Sequence, residues 1–246
     1  MTSDLHDLRM AFPRQLTEAI FLERPNRFII QCKLLDSEEV VVAHLPDPGR
    51  LIELLLPGRR VWLMDNDNPN RKTKWTAVLC ESPDQTCLVS INTTYPNMLV
   101  EKGLKTGFFK EFNEWNYKKS EYKLGNSRWD FLLEKEDGKQ LLLEVKSVTL
   151  ADGEKGMFPD AVTARGTKHV KELAELARNS DFETAILFVA QREDVEFMTT
   201  ASHIDPAFDQ ALREAKAAGV RLFARKCHLD VEEIRVGDSI PVVLSE

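Results

Sequence analysis

Four cysteines, Cys32, Cys80, Cys87 and Cys227, are all that the sequence contains, with no C-x-x-C spacing and no histidine set close by. That scarcity excludes a zinc knuckle and a disulfide framework. Long apolar runs are missing as well: nowhere do about 18 apolar residues follow one another. The opening "MTSDLHDLRMAFP" is polar and acidic, not basic and then apolar, so it does not read as an export signal. A cytoplasmic protein with no membrane span is expected. Internal repeats and low-complexity linkers are absent too, which excludes a solenoid or a tethered disordered arm.

Positive charge is in deficit. A net charge of −7 counts against nucleic acid as a partner, because phosphate binding depends on Lys and Arg neutralising the backbone. The deficit is uneven, however. Residues 181–246 carry 13 acidic and 7 basic residues, whereas residues 101–128 carry 4 acidic and 7 basic. A locally basic surface is compatible with that distribution, as is a solvated exterior of mixed charge.

What is present is enough apolar residue for a sizeable core, 43% of 246 residues, in one domain or two. Up to about residue 93 the chain shows five short β-like runs, "RFIIQCKLL", "VVVAHL", "RRVWLMD", "KWTAVLCE" and "TCLVSINT". Turn signals such as "PDPGR" separate them, and the spacing predicts a small barrel. His44 alternates with core positions in "VVVAHL". The insert "RLIELLLPG" is helix-like with a Pro-Gly stop. Beyond about residue 97 a helix is expected near 98–113, then strands. In "TKHVKELAELARNS", Val170, Leu173, Leu176 and Ala177 recur at helical spacing, with Lys168/Glu172 four apart. "TAILFVA" reads as a buried strand. "DPAFDQALREAKAAG" offers Asp205 as N-cap, Pro206 at the first helical position and Gly219 as stop, before "VRLFARK". Strand, helix and strand in that order imply a parallel pair.

The stretch "SRWDFLLEKEDGKQLLLEVKSVTL" sets charges inside an apolar run. Glu136-Asp137-Gly138 suits a three-residue hairpin loop with Gly138 at positive φ. In that register Leu133 faces Leu141, Phe131 faces Leu143 and Trp129 faces Val145 on one side. Leu132 with Leu142, Asp130 with Glu144, and Arg128 with Lys146 make the other. Opposed carboxylates repel, so something must offset Asp130 and Glu144. Arg128 and Lys146 could do so as an ion-pair cluster. Alternatively, a divalent cation could sit between the two carboxylates, with Lys146 stabilising developing charge. No His or Cys adjoins them, which disfavours zinc and favours Mg²⁺ or Mn²⁺.

An aspartate followed across a hairpin by Glu-x-Lys resembles the PD-(D/E)XK nuclease core. With "FPDAVTARGTKHVKEL", "AHLPDPGRL", "INTTYPN", "SRWDF" and "EVKSVTL", nearly the whole chain resembles the sugar fermentation stimulation protein A family. That resemblance implies an N-terminal five-stranded OB-like barrel over residues 1–93 and a PD-(D/E)XK restriction-endonuclease-like α/β domain over residues 94–246. It also implies binding to double- or single-stranded DNA without marked sequence preference, and a link to the regulation of sugar, notably maltose, metabolism. The nuclease triad then falls on Asp130, Glu144 and Lys146, with Trp129 where the superfamily pattern has proline. A further metal-binding acid is expected from the preceding helix, with Glu101 first and Glu121 second.

Pro159 and Gly166 bracket a loop that ends at a helix start, where free N–H groups favour an anion. Arg165, Lys168 and His169, with Thr163 and Thr167 as hydroxyl donors, are candidates to hold a phosphate there, unless Thr167 simply caps the helix. Asp160 is an alternative metal ligand. In the barrel half, Arg71, Lys72 and Lys74 beside Trp75, and Arg24 and Arg27 before Phe28, are candidates for nucleic-acid contact. Arg50 joins them through the family resemblance. Two functions follow from these residues: a metal-dependent phosphodiesterase, or a DNA-binding regulator on a nuclease-like platform.

Overall fold

The computed structural model describes residues 7–66 and 73–244. Its first strand, β1 (Arg9–Ala11), precedes β2 (Leu16–Asn26), β3 (Ile29–Leu34), β4 (Val40–His44), β5 (Arg60–Asp65), β6 (Trp75–Glu81) and β7 (Leu88–Ser90). Antiparallel pairing runs β4-β3-β2-β5-β6, and a parallel pairing of β4 with β6 (Ala43 with Trp75, His44 with Thr76) closes the five strands into a barrel. Closure removes the sheet edges that a short open sheet would expose.

Two expectations for this half are corrected. The barrel's opening strand is β2, whereas "TCLVSINT" supplies only the three residues of β7, an addition to β6. β2 hides in the sequence because its buried residues, Leu16, Ala19 and Phe21, do not keep a period of two. Bulges also shift its register against β3 on either side of Glu23. The insert "RLIELLLPG" is a single turn and not a helix: Leu51 has φ 49°, and both Leu54 N–H and Leu55 N–H donate to Leu51 O.

The second half contains α1 (Tyr95–Thr106), a 3₁₀ turn at Lys110–Phe112, β8 (Asn116–Leu124), β9 (Ser127–Glu134), β10 (Gln140–Val148), β11 (Ala151–Asp152) and β12 (Lys155–Phe158). After these come α2 (Ala164–Asn179), β13 (Phe182–Ala190), β14 (Phe197–Thr200), α3 (Pro206–Ala217), β15 (Arg221–Leu229) and β16 (Glu233–Ile240). Seven strands form one sheet in the order β1-β16-β15-β13-β10-β9-β8, parallel at β10/β13 and β13/β15, and antiparallel elsewhere. β1 is therefore an edge strand of this sheet and not a strand of the barrel. Its pairing with β16 ties Arg9–Ala11 to the α/β unit.

One face of the large sheet packs Phe131, Leu133, Leu141 and Leu143 against Tyr95, Leu99 and Leu104 of α1, and against Trp62, Val78 and Leu79 of the barrel. A single apolar core thus joins the two halves. The other face packs Leu142, Ile186 and Phe188 against Val170 and Leu173 of α2 and Phe208 and Leu212 of α3. β13, at the centre, is buried on both faces from Ala185 to Ala190, as a parallel strand covered by helices should be. Asp205 caps α3 by accepting from Phe208 N–H at 3.0 Å, and Gly219 past its end takes φ 103°. Among the described residues, no helix is long and apolar enough to cross a membrane.

Candidate functional site

β9 and β10 pair from Gln140 with Glu134 to Leu143 with Phe131, the expected register, and then separate. Gly138 in the hairpin loop has φ 85°. Where the ladder ends, the Asp130 side chain takes over: Oδ2 accepts from Val145 N–H at 2.7 Å, and Oδ1 accepts from Asn97 Nδ2 of α1 at 2.8 Å. Asp130 and Glu144 are accordingly not ladder partners, but both line one cleft. The opening of the hairpin also overturns two expected pairings. Trp129 packs on the α2 face, its ring centroid 5.4 Å from that of His169, and does not face Val145. Arg128 pairs with Glu121 at 2.6 Å, outside the cleft, leaving Lys146 alone to face the carboxylates.

Glu144 and Lys146 share the phase of Leu142 on β10, so they point to the α2 side of the sheet. Glu144 is 5% exposed. Its Oε1 accepts from Lys146 Nζ at 2.7 Å and from His169 Nδ1 at 2.9 Å, while its buried Oε2 has no hydrogen-bond partner. Burial would raise the Glu144 carboxyl, but the His169 hydrogen bond and the Lys146 ammonium outweigh it and hold the group below the usual carboxylate range. Asp130 goes the other way. Burial first and the Glu144 charge second push it up to about 6, against the Val145 N–H, Lys146 and Asn97.

The barrel supplies the facing wall. Gly49 N–H donates to Asp47 Oδ1 at 2.7 Å, and Arg50 N–H donates to Oδ2 of Asp160, on the loop after β12, at 2.8 Å. A Cβ on Gly49 would lie 2.1 Å from Asp160 Oδ2, so any larger residue would have to displace that carboxylate from its hydrogen bond with Arg50 N–H. Arg24 gathers the loop, donating to the carbonyls of Arg27, Asp47, Gly49 and Arg50 at 2.5–3.3 Å. Burial pushes the Asp47 carboxyl up to about 6, with the Gly49 N–H opposing and the Asp160 charge adding to the rise. The cleft between the walls measures about 540 Å³.

The other candidates divide by position. Thr163, Arg165 and His169 line the cleft, but Thr163, not Thr167, caps α2 by accepting from Gly166 N–H at 3.1 Å. His169 is buried, and its Nδ1 donates to Glu144 Oε1. Lys168 points to solvent and pairs with Glu172 at 3.6 Å, because adjacent residues on a helix diverge by about 100°. Glu101 is not brought to the cleft: its Oε1 accepts from Lys105 and from Tyr117, both at 2.7 Å. Asn97, one turn earlier on α1, reaches the site instead. Lys74 sits away from the cleft wall, 3.4 Å from Asp65 and over the Trp75 ring. Arg71 and Lys72 lie outside the described residues. Asn97, Asp47 and Gly49 carried no motif of their own, although all three fall in the quoted stretches "INTTYPN" and "PDPGR".

Among the described residues, no three His, Cys, Asp or Glu side chains stand together as a ready metal site. Two carboxylates, one with an unpartnered buried oxygen, nevertheless fit a hard cation that keeps several waters. His169 Nδ1 is engaged with Glu144, so the donors that remain are oxygens, as Mg²⁺ or Mn²⁺ prefers.

Residues 94–233 match the family model described as the sugar fermentation stimulation protein RE domain, and residues 22–91 match the SfsA N-terminal OB domain. The chain is 48% identical over 229 residues to the sugar fermentation stimulation protein homolog of Shouchella clausii (strain KSM-K16), covering 93% of this chain and 98% of that one. It is 40% identical over 235 residues to the homolog of Clostridium tetani (strain Massachusetts / E88), covering 96% and 100%. Among solved structures, Pyrococcus furiosus SfsA in complex with Ca²⁺ superposes with a TM-score of 0.86 at 30% identity, covering 96% of this chain and 99% of that one.

Proposed function

The chain belongs to the sugar fermentation stimulation protein family, and on that premise we propose that it binds DNA with little regard to sequence and hydrolyses phosphodiester bonds at a Mg²⁺ or Mn²⁺ site on Asp130 and Glu144. The observation that carries this reading is the buried, unpartnered Oε2 of Glu144 in the cleft that Asp130 also lines. A buried carboxylate oxygen with nothing to bond is expensive, and a cation would satisfy it. The Ca²⁺ in the similar Pyrococcus furiosus protein supports a divalent ion at this fold.

A bound divalent cation would supply charge neutralisation at the phosphate and a more acidic water. The chain's own residues do the rest. Val145 N–H and Asn97 fix the Asp130 carboxylate, and His169 fixes Glu144. Lys146 Nζ, 12% exposed at its side chain, stands where it can hold a nucleophile or steady charge on a phosphate oxygen. Regulation of sugar metabolism, which the resemblance implies, is on this reading a consequence of DNA binding.

Binding without cleavage is the second reading. It is favoured by the 2.7 Å pairing of Lys146 with Glu144, which commits the ammonium that hydrolysis needs. Plasmid and single-stranded DNA incubated with Mg²⁺ or Mn²⁺ separate the two. Hydrolysis by the wild type, reduced about 100-fold or more by Lys146→Ala, supports the first; intact DNA with both ions supports the second. Calorimetric titration with Mn²⁺ tests the metal site itself: binding that Asp130→Asn abolishes supports it, and equal heats from both proteins would remove it.

A further inference from the structure

The rim of the cleft carries groups that hydrolysis leaves unused. The turn between β2 and β3 sets Arg27 on the cleft wall and Phe28 beside it. Phe28 is 52% exposed, although the backbone beneath it is fixed. Its N–H donates to Asn26 Oδ1 at 2.9 Å, its carbonyl accepts from Leu45 N–H at 2.8 Å, and the Arg27 carbonyl accepts from Arg24 at 2.8 Å. A fixed turn that leaves about half of an aromatic side chain in water gains less from the core than a buried ring would. Across the cleft stand Arg165 and Val162, the latter 76% exposed. Arg50 stands next to Gly49 on the barrel wall.

Arg27, Arg50 and Arg165 make no side-chain ion pair among the described residues, whereas Arg60, Arg128, Arg192, Arg213 and Arg225 are each matched to a carboxylate. In a chain of net charge −7, Arg27 and Arg165 on the cleft wall, with Arg50 following Gly49 of that wall, put unmatched positive charge at the rim. Asp47, Asp130, Glu144 and Asp160 line the floor and walls of the same cleft, so a phosphate would be held at the arginine rim, with the carboxylates beneath it left to a cation.

We propose that this rim seats an unpaired strand of nucleic acid, with Phe28 stacking on a base while Arg27, Arg50 and Arg165 take its phosphates and lead it over Asp130 and Glu144. The inference rests on the DNA reading above and narrows its substrate. An exposed ring has a partner only where a base shows its face, which a paired strand does not offer along its length. The outside of a duplex presents phosphate and sugar to such a rim and gives Phe28 and Val162 nothing apolar to cover.

Fluorescence anisotropy of the full chain with a labelled single strand of about 20 nucleotides, and with the same sequence as a blunt duplex, tests it, in EDTA and in Ca²⁺. The single strand should bind more tightly. Phe28→Ala should weaken single-strand binding about tenfold and duplex binding less than about twofold, while Phe28→Trp keeps the wild-type value. Arg165→Ala should flatten the salt dependence for the single strand by about 0.7 in the logarithmic slope. Equal affinity of wild type and Phe28→Ala for the single strand, equal losses for strand and duplex, or no single-strand binding in either buffer would each overturn the inference. Hydrolysis is scored separately with Mn²⁺: Phe28-dependent binding without cleavage upholds the strand site and removes only the hydrolytic reading. Cleavage without any Phe28 effect does the reverse.

Discussion

The two walls of the cleft are held in place by different means. On the α/β wall each carboxylate is fixed by partners on regular elements: Asp130 by Val145 N–H of β10 and Asn97 of α1, Glu144 by Lys146 of the same strand and His169 of α2. On the barrel wall one guanidinium, Arg24, collects four carbonyls from two irregular segments. Strands and helices satisfy their own backbone, so their side chains can act in separate pairs. Loops leave carbonyls without ladder partners, and arginine, with five donors in a fork, can serve several at once. The first wall should therefore fail one piece at a time, and the second all at once.

Arg24→Ala is the most direct way to break that contrast. Losing a charged donor to four carbonyls should lower the unfolding free energy by about 3 kcal/mol in urea titration. Arg24→Lys should recover little of it, since an ammonium lacks the fork. A wild-type denaturation midpoint for Arg24→Ala would show that the barrel wall is not held from one point.

Asp47 sharpens the comparison through pH. Its carboxyl is raised from 3.8 to about 6 in the folded chain, with burial the leading cause. Between those values the folded chain holds a proton that the unfolded chain has lost. Asp47 therefore destabilises the fold progressively as pH rises through that window, and fully above about 6. Asp47→Asn removes the ionisation and keeps an oxygen for Gly49 N–H. The stability of the variant relative to wild type should rise by about 2–3 kcal/mol from pH 4 to 6.5. A constant difference across that range would mean that Asp47 ionises normally.

On the other wall, His169→Ala should leave Asp130 held and weaken Mn²⁺ binding about tenfold, with His169→Gln partly restoring it by offering Glu144 a donor. If both variants lost all metal affinity, the α/β wall would be as concerted as the barrel wall.

Much of this architecture could be read from the sequence where the signal was local. The hairpin register from Gln140 to Leu143 followed from Gly138, and α3 from Asp205, Pro206 and Gly219. The shared side of Glu144 and Lys146 could be read because Glu-x-Lys places two side chains on one face of a strand. The parts that could not be read depend on non-local contact. β2 carries bulges that break its period, Trp129 changes face where β9 leaves β10, and Asn97 acts only because α1 packs beside the end of that hairpin. Gly49 looked like a turn glycine, and its closest neighbour, Asp160, lies 111 residues away along the chain.

The smallest expected effect concerns Lys168, and it tests how the helix sorts its charges. Arg165, Lys168 and His169 are close in sequence, yet a residue advances about 100° around a helix, so positions four apart share a stripe. Arg165 and His169 form one stripe and line the cleft. Lys168 and Glu172 form the next, where the lysine side chain is 60% exposed and 3.6 Å from its partner. Such a pair contributes about 0.5 kcal/mol or less. Lys168→Ala should change the unfolding free energy by no more than that and alter DNA affinity less than about twofold, while Arg165→Ala, one turn away, weakens binding in a salt-dependent way. Equal losses from the two substitutions would mean that the strand crosses the whole start of α2, and the boundary between cleft and solvent would have to be moved outward by one stripe of the helix.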